Sequence, residues 1–267
     1  MPLTVRVPGS AEEALADIGE GGLLVGGGTA IMPRLNNAAI PDATLVSLRR
    51  ADLDRVDVAD GIATLGAAAT LAAIGRAESL GFLHPAISSI ASPSVRNLAT
   101  VGGNLFVSPP YGDLAVCLLA LDAEAEVRSS DAIRRAPIAD ILDNGIRSHE
   151  IVTQVAFRIP EPATWFFTKA MRRRQNSAAI VTVAAVVRCE AHVVAEARVA
   201  LGGAGARPVR SLAAEAALIG RTLDREAVEA AGAAAAAEAD PQTDAYASAW
   251  YRRRVLPVHI RRALLAE

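Results

Sequence analysis

The sequence predicts an α+β protein made of three consecutive blocks, residues 1–50, 51–163 and 164–267. Of the 267 residues, 52% are hydrophobic and 21% are charged, a composition typical of packed globular domains. The first two blocks mix strands with helices, whereas the third carries its strands first and its helices last. Strands followed by helices, in place of strict alternation, indicate α+β architecture.

The first block predicts a compact β-loop-α-β unit that contains a glycine-rich loop. Ser10 and Glu13 have the spacing of a capping box, which predicts a helix to about residue 18. The apolar run 23–25 predicts a buried strand, and the Gly-Gly-Gly-Thr loop at 26–29 follows it. Two further predicted elements complete the block, a helix over 30–36 and a strand over 44–48.

The second block predicts a hairpin, two helices and another glycine-rich loop. Asp60-Gly61 between apolar runs is a strong signal for a two-residue hairpin. Thr70 predicts the cap of a helix to about residue 78, and Asp113 predicts the start of a helix through residue 121. Residues 100–104, Thr-Val-Gly-Gly-Asn, predict the second loop. Strands are expected over 123–128 and 151–159.

The third block predicts three strands, a glycine-rich break at 202–205 and three helices. The strands are predicted over 165–169, 178–188 and 193–201. The helices are predicted over 212–219, 224–238 and 248–265. The alanine-rich stretch 227–239 favours helix and indicates no function.

Charge and cysteine content exclude several classes of protein. The net charge is −2, so the chain lacks the basic excess of proteins that bind nucleic acid or anionic membranes. Two cysteines, Cys117 and Cys189, are too few for a four-thiolate cluster or a disulfide scaffold. Cys117 lies in an apolar run and is expected to be a small buried side chain. We expect no metal site in this chain, so a redox metal would have to lie on another chain.

The sequence also bears on location. Residues 1–15 show no charged region followed by an apolar one, so a secretory signal is not expected. The longest apolar run, 178–187, is too short to span a bilayer. We therefore expect a cytoplasmic protein without a membrane span.

Both glycine loops have the chemistry of an anion site. Consecutive glycines allow backbone amides to converge on phosphate oxygens, and a following helix adds the positive end of its dipole. Thr29 and Asn104 add a hydroxyl and an amide. Each loop could instead be an ordinary turn, the second also a β-bulge. Two such loops favour a diphosphate, because its two charged groups need donors from more than one side.

Four segments resemble those of a known family. Residues 24–33 and 90–105 are similar to the two FAD-binding signatures of the flavoprotein (medium) subunit of molybdenum hydroxylases, a family that includes carbon monoxide dehydrogenase and xanthine dehydrogenase. Residues 165–174 resemble the segment that opens the family's C-terminal domain, and residues 248–262 resemble its closing helix. The likeness covers nearly the whole chain, and the pairing of the two signatures is specific.

The resemblance implies a fold and a set of cofactor-binding residues. The fold has two α/β subdomains of the vanillyl-alcohol-oxidase (PCMH) type that hold FAD between them, then a C-terminal α+β domain with a small antiparallel sheet. Asp113 would fix a ribose or loop hydroxyl. Ile90 stands where some relatives have a bulkier aromatic residue, and Gly28-Thr29 where the carbon monoxide enzymes have His-Ser. The implied cofactor-binding residues are Leu24, Val25, Gly26, Gly27, Gly28, Thr29, Ala30, Ile31, Ile90, Thr100, Val101, Gly102, Gly103, Asn104, Asp113, Val152 and Lys169.

Lys169 is the single lysine among 27 basic residues. A lysine is usually a solvated surface residue, but arginine fills every other basic position of this chain. The resemblance places Lys169 near the pyrimidine ring of the isoalloxazine. An ammonium there would stabilise charge at N1 and the C2 oxygen as the flavin is reduced, which makes Lys169 the candidate catalytic residue.

The resemblance further implies an oxidoreductase subunit that transfers electrons. Electrons would pass from a small [2Fe–2S] subunit through FAD to an external acceptor, while a large molybdopterin subunit oxidises the substrate. The expected assembly is a dimer of heterotrimers. The arginine runs 172–174 and 252–254 predict either solvated faces or surfaces that dock partners. The glycine loops fit equally well a stand-alone FAD-dependent oxidoreductase of the same superfold that acts on a small molecule.

Overall fold

The structure is a computed structural model that describes residues 3–37, 43–173 and 176–265. In chain order, its elements up to residue 120 are β1 (Thr4–Arg6), α1 (Ala11–Gly19), β2 (Leu23–Val25), α2 (Ile31–Asn36), β3 (Thr44–Ser47), β4 (Val56–Ala59), β5 (Ile62–Gly66), α3 (Leu71–Arg76), α4 (His84–Ser89), α5 (Pro93–Arg96), α6 (Val101–Leu105) and α7 (Asp113–Ala120). They are followed by β6 (Glu124–Arg128), β7 (Ile133–Pro137), α8 (Ile138–Asn144), β8 (Ile151–Arg158), β9 (Trp165–Met171), β10 (Ala179–Glu190), β11 (Val193–Gly202), β12 (Val209–Arg210), α9 (Leu212–Leu218), α10 (Arg225–Glu238) and α11 (Ala249–Leu264). Short 3₁₀ turns cover Leu48–Arg50 and Glu78–Leu83.

The chain divides into two compact units. The first unit contains Met1–Gly81, Ser92–Val107 and Ala123–Phe157, as far as these are described. The second unit contains Phe82–Ala91, Ser108–Asp122 and Arg158–Glu267, with the same restriction. Two segments from the middle of the sequence therefore join the C-terminal part, because α4 packs on β9 and α7 packs on β10 and β11. The division into three domains at residues 50 and 163 stays a prediction.

The first unit begins with a three-stranded parallel sheet in the order β1-β3-β2. Helix α1 packs its apolar side against the sheet, where Ala14, Leu15 and Ile18 share a core with Val46. The Ser10 hydroxyl accepts a hydrogen bond from the amide of Glu13, so the predicted helix cap is confirmed. This sheet and helix support the first glycine loop, which follows β2.

A five-stranded sheet in the order β4-β5-β8-β6-β7 completes the first unit. The predicted hairpin is confirmed, because β4 and β5 pair antiparallel around Asp60 and Gly61, both with positive φ. Strand β7 and helix α8 were not predicted from the sequence. Strand β7 lies at the sheet edge with most of its residues exposed, so it carries no alternating apolar pattern.

The second unit is built on a four-stranded antiparallel sheet in the order β12-β11-β10-β9. Alternate residues of β10 face its two sides. Val181, Val183 and Ala185 belong to the core formed with α9, α10 and α11. Thr182 faces the other side, where its hydroxyl contacts the first residue of α7. Burial on both faces explains why 178–187 is a nearly continuous apolar run.

Across the part of the chain that the structure describes, no helix is long and apolar enough to cross a bilayer.

Candidate functional site

The first glycine loop packs backbone to backbone against the segment that precedes α6. A Cβ built on Gly26 would lie 2.4 Å from Oγ1 of Thr100, and one built on Gly27 would lie 1.6 Å from the carbonyl oxygen of Leu98. Gly28 has a φ of +75°, which side chains rarely adopt. Contact between two loops of the first unit, together with backbone conformation, therefore requires these glycines.

The amides of this first loop are free to bind a ligand. Among residues 3–37, 43–173 and 176–265, no acceptor takes the N–H of Gly27, Gly28, Thr29 or Ala30. Gly27, Gly28 and Thr29 are half-buried and Ala30 is exposed. Amides shielded from solvent are normally bonded, so the unbonded ones at residues 27–29 point to an acceptor outside the protein. Such a row suits the oxygens of a diphosphate.

The second glycine segment is the first turn of a helix, which corrects the prediction of a loop, turn or β-bulge. Thr100 caps α6, and its hydroxyl accepts a bond of 3.2 Å from the amide of Gly103. The other amides of the turn are also bonded within the first unit: Val101 to Ala69 O, Gly102 to Ala67 O and Asn104 to Thr100 O. This segment therefore offers a wall beside the first loop and does not offer a second row of free amides.

The second unit holds a buried charged cluster around Lys169. The ammonium donates to Oδ2 of Asp113 at 2.8 Å and to the carbonyl of Ser89 at 3.0 Å. The Thr182 hydroxyl donates to Oδ1 of Asp113 at 2.6 Å. Side-chain exposure is 3% for Lys169 and 6% for Asp113. Lys169 is therefore not the solvated surface residue that a lysine usually is. An ion pair with this little solvent needs all of its partners.

Asp113 begins α7, as predicted, but its carboxylate has partners that the sequence did not reveal. Both oxygens are bonded inside the second unit, to Lys169 and to Thr182. Its implied contact with a ribose or loop hydroxyl stays a prediction. Thr182 was missed, although a single hydroxyl inside the apolar run 178–187 was a signal for a buried polar contact.

Cys117 lies one helical turn after Asp113 and is fully buried, which confirms the expected packing role. Burial raises the pKa of its thiol well above the usual range, and the negative charge of Asp113 adds to that effect. The positive charge of Lys169 acts in the opposite direction. The thiol is therefore neutral and unreactive at physiological pH.

The remaining residues implied by the resemblance lie in ordinary elements. Leu24 and Val25 end strand β2, and Ile31 begins helix α2. Ile90 follows α4 and Val152 lies on β8, and both side chains are buried. Their contacts with the cofactor stay predictions.

The arginine runs are not uniform solvated faces. Arg252 is buried, where it donates to the carbonyl of Ile180 and to Oδ2 of Asp244. Arg254 lies over the ring of the exposed Trp250, with 5.7 Å from its guanidinium carbon to the ring centroid. In the other run, Arg172 and Arg173 are exposed and Arg174 lies outside the described residues.

The fold and the row of free amides are suited to an anionic cofactor, and comparisons with known proteins identify the family of the chain. The family described as "FAD binding domain in molybdopterin dehydrogenase" matches residues 3–162, and the family described as "CO dehydrogenase flavoprotein C-terminal domain" matches residues 166–266. The chain belongs to this family of FAD-binding medium subunits of molybdenum hydroxylases. The resemblance seen in the sequence is thereby confirmed.

Individual proteins similar to this chain agree with the family assignment. The 6-hydroxypseudooxynicotine dehydrogenase complex subunit alpha of Paenarthrobacter nicotinovorans is 29% identical, over 97% of this chain and 92% of that protein. The nicotine 6-hydroxylase medium subunit of the same organism is 30% identical, over 97% and 94%. A chain of carbon monoxide dehydrogenase from Hydrogenophaga pseudoflava, in a form that lacks the Mo-pyranopterin moiety, has a TM-score of 0.93 at 25% identity, over 100% of this chain and 97% of that chain.

Several expectations from the sequence are therefore confirmed. The fold is the α+β FAD-binding fold, and the cofactor is FAD. The chain is an FAD-binding electron-transfer subunit of an oxidoreductase. The cofactor fits the first unit by its chemistry, because its diphosphate needs the donors that the first glycine loop leaves unbonded.

Proposed function

We propose that the first glycine loop holds the diphosphate of FAD and that the chain carries electrons from an iron–sulfur subunit to an external acceptor. The observation that supports this proposal is the row of four unbonded amides from Gly27 to Ala30. When bound, FAD supplies a ring that takes up and passes on electrons. This chain's own residues bind and orient that group, and no general acid or base is required of them.

In this proposal the residues at 24–31 surround the diphosphate and ribose, and those at 100–104 complete the wall. Ile90, Val152 and Asp113 contact other parts of the cofactor. Lys169 lies by the pyrimidine ring, where its charge favours the reduced flavin. The buried position of the ammonium supports this role, because a charge acts more strongly where water does not screen it.

We propose two partner subunits, a small one with a [2Fe–2S] cluster and a large one with molybdopterin, in a dimer of heterotrimers in the cytoplasm. The names of the relatives support partner chains, since they describe a complex subunit alpha and a medium subunit. Two cysteines in the whole chain are too few for a four-thiolate cluster, which supports a cluster on another subunit.

Mass analysis of the natively purified complex tests this proposal. Two further chains, one with iron and sulfide and one with molybdenum, are expected beside a yellow medium subunit. The isolated chain should bind FAD and show little oxidation of purines, aldehydes or carbon monoxide. Rapid substrate turnover by the isolated chain would instead favour a stand-alone FAD-dependent oxidoreductase.

Replacement of Lys169 tests its place by the flavin. Lys169→Met should lower the reduction potential of the bound flavin more than it weakens FAD binding, because it removes a positive charge that favours the reduced form. The potential is measured by equilibrium titration against a reference dye. An unchanged potential would leave Lys169 a purely structural residue.

A further inference from the structure

Three neighbouring strands of the second unit present one row of residues to helix α7. Thr182 on β10 is paired in register with Lys169 on β9 and with Gly202 on β11. A Cβ on Gly202 would lie 2.9 Å from Cγ2 of Val116, so the glycine gives α7 room to approach the sheet. This approach brings Asp113, the first residue of α7, to the side chains of both Thr182 and Lys169.

Asp113 joins the other two side chains of this row. One carboxylate oxygen accepts from the Lys169 ammonium and the other from the Thr182 hydroxyl. Thr182 is fully buried. Its hydroxyl therefore fixes the orientation of the Asp113 carboxylate to which it donates. The cluster carries one positive and one negative charge, so its net charge is zero.

The Lys169 ammonium has a donor left over. An ammonium has three N–H groups, and the structure pairs two of them, with Asp113 and with the carbonyl of Ser89. For the third N–H there is no acceptor within 3–37, 43–173 or 176–265. A buried cation with a free donor is suited to a ligand atom that carries partial negative charge.

We propose that Asp113 is the countercharge that limits the effect of Lys169 on the flavin and that Thr182 is the positioning residue that holds Asp113 in this role. The inference rests on the proposed function, in which Lys169 lies by the pyrimidine ring. A lone buried ammonium would favour the reduced flavin strongly, and a carboxylate 2.8 Å away offsets much of that field. The ion pair therefore holds the flavin potential below the value that Lys169 would give without Asp113.

A double-mutant cycle that neutralises each charge in the full-length FAD-loaded protein tests the inference. Lys169→Met is expected to lower the flavin potential and Asp113→Asn to raise it, because one variant removes the positive charge and the other the negative charge. We expect each variant to change the ratio of the affinities for reduced and oxidised flavin about tenfold, which corresponds to about 30 mV for a two-electron couple. The double variant Lys169→Met/Asp113→Asn should return close to the wild-type potential, since both pairs are neutral.

Thr182 is tested with two variants, one that removes its hydroxyl and one that keeps it. Thr182→Val removes the hydroxyl that stabilises the charged carboxylate, so it should raise the potential in the direction of Asp113→Asn, by a smaller amount. Thr182→Ser keeps the hydroxyl and should keep the wild-type potential. A merely structural role for Thr182 would change thermal stability in the valine variant and leave its potential at the wild-type value.

The outcomes separate the inference from the proposal on which it rests. If Lys169→Met leaves the potential unchanged, the placement of Lys169 by the flavin is wrong and the inference fails with it. If Lys169→Met lowers the potential and Asp113→Asn lowers it as well, Lys169 acts on the flavin but Asp113 is not its countercharge. Should Asp113→Asn not fold, the Thr182→Val and Thr182→Ser pair decides, because an unchanged potential in the valine variant contradicts the proposal.

Discussion

Gly27 and Leu98 meet backbone to backbone in the first unit, with the Leu98 carbonyl oxygen 1.6 Å from the place that a Cβ on residue 27 would take. No rotation of a side chain can relieve such an overlap, because both groups belong to the main chain. The glycine is therefore needed for this contact.

Gly27→Ala is expected to weaken FAD binding more than tenfold and to destabilise the protein by about 1–3 kcal/mol, the usual range for overpacking. Gly19→Ala is the matched control, because a Cβ there meets nothing within 4 Å. FAD content and the free energy of unfolding are measured for both variants. Full flavin content and wild-type stability in Gly27→Ala would contradict the contact.

The hydroxyl of Thr100 caps helix α6 beside this loop. Thr100→Val keeps the shape and removes the acceptor for the Gly103 amide, so it should cost about 1 kcal/mol of stability. Thr100→Ser keeps the acceptor and serves as the control in the same denaturation experiment. Wild-type stability in Thr100→Val would show that the cap does not stabilise this helix.

Local chemistry made part of the structure predictable from sequence. The helix cap at Ser10 and the hairpin at Asp60-Gly61 depend on residues within three positions of each other, and both are confirmed. The segment 100–104 has the same kind of signal, but its conformation also depends on Ala67 and Ala69, whose carbonyls accept its amides. Those partners lie more than 30 residues away, so the sequence pattern alone suggested a loop.

The contacts of the charged cluster around Lys169 also depend on residues that are distant in sequence. Lys169 stood out because it is the only lysine, and a resemblance gave it a role. Its partners Asp113 and Ser89 are 56 and 80 residues away along the chain. Only the folded sheet and helices bring them together, so the ion pair could not be predicted from spacing. For Thr182 the single hydroxyl in the apolar run 178–187 indicated a buried polar contact but not its partner.

Gly202 provides a prediction for the packing of α7 on its sheet. Gly202→Ala places a Cβ 2.9 Å from Cγ2 of Val116 and 3.2 Å from Cβ of Thr182, so it should cost about 1–3 kcal/mol of stability. Gly205→Ala, whose Cβ would have contacts of 3.5 Å, is the control. Val116→Ala added to Gly202→Ala should restore part of the loss, because it removes the clashing methyl. Strictly additive losses in denaturation would contradict this contact.

Glu150 makes the stability of the first unit depend on pH in the acid range. Its side chain is 4% exposed and accepts two bonds from Arg134, at 3.2 and 2.9 Å, and one from the amide of Arg147 at 3.0 Å. The Arg134 bonds are the largest cause of a lowered pKa for this carboxyl, and the Arg147 amide adds to them. The folded state therefore favours the charged form. This stabilisation is present above the usual glutamate pKa of about 4.3 and is lost as the pH falls through the lowered folded value.

Glu150→Gln should therefore cost about 1.5–3 kcal/mol at neutral pH, the value of hydrogen bonds to a charged group. The cost should lie toward the lower end, because Arg134 is 42% exposed and water screens its charge. The difference from wild type should shrink below about pH 4 as the wild-type carboxyl takes up a proton. Glu226→Gln is the matched control, since Glu226 pairs with Arg221 while 89% exposed and should change stability by less than about 0.5 kcal/mol. Free energies of unfolding between pH 3 and 7 measure both variants, and a gap for Glu150→Gln that stays constant with pH would show that the charge of Glu150 does not stabilise the fold.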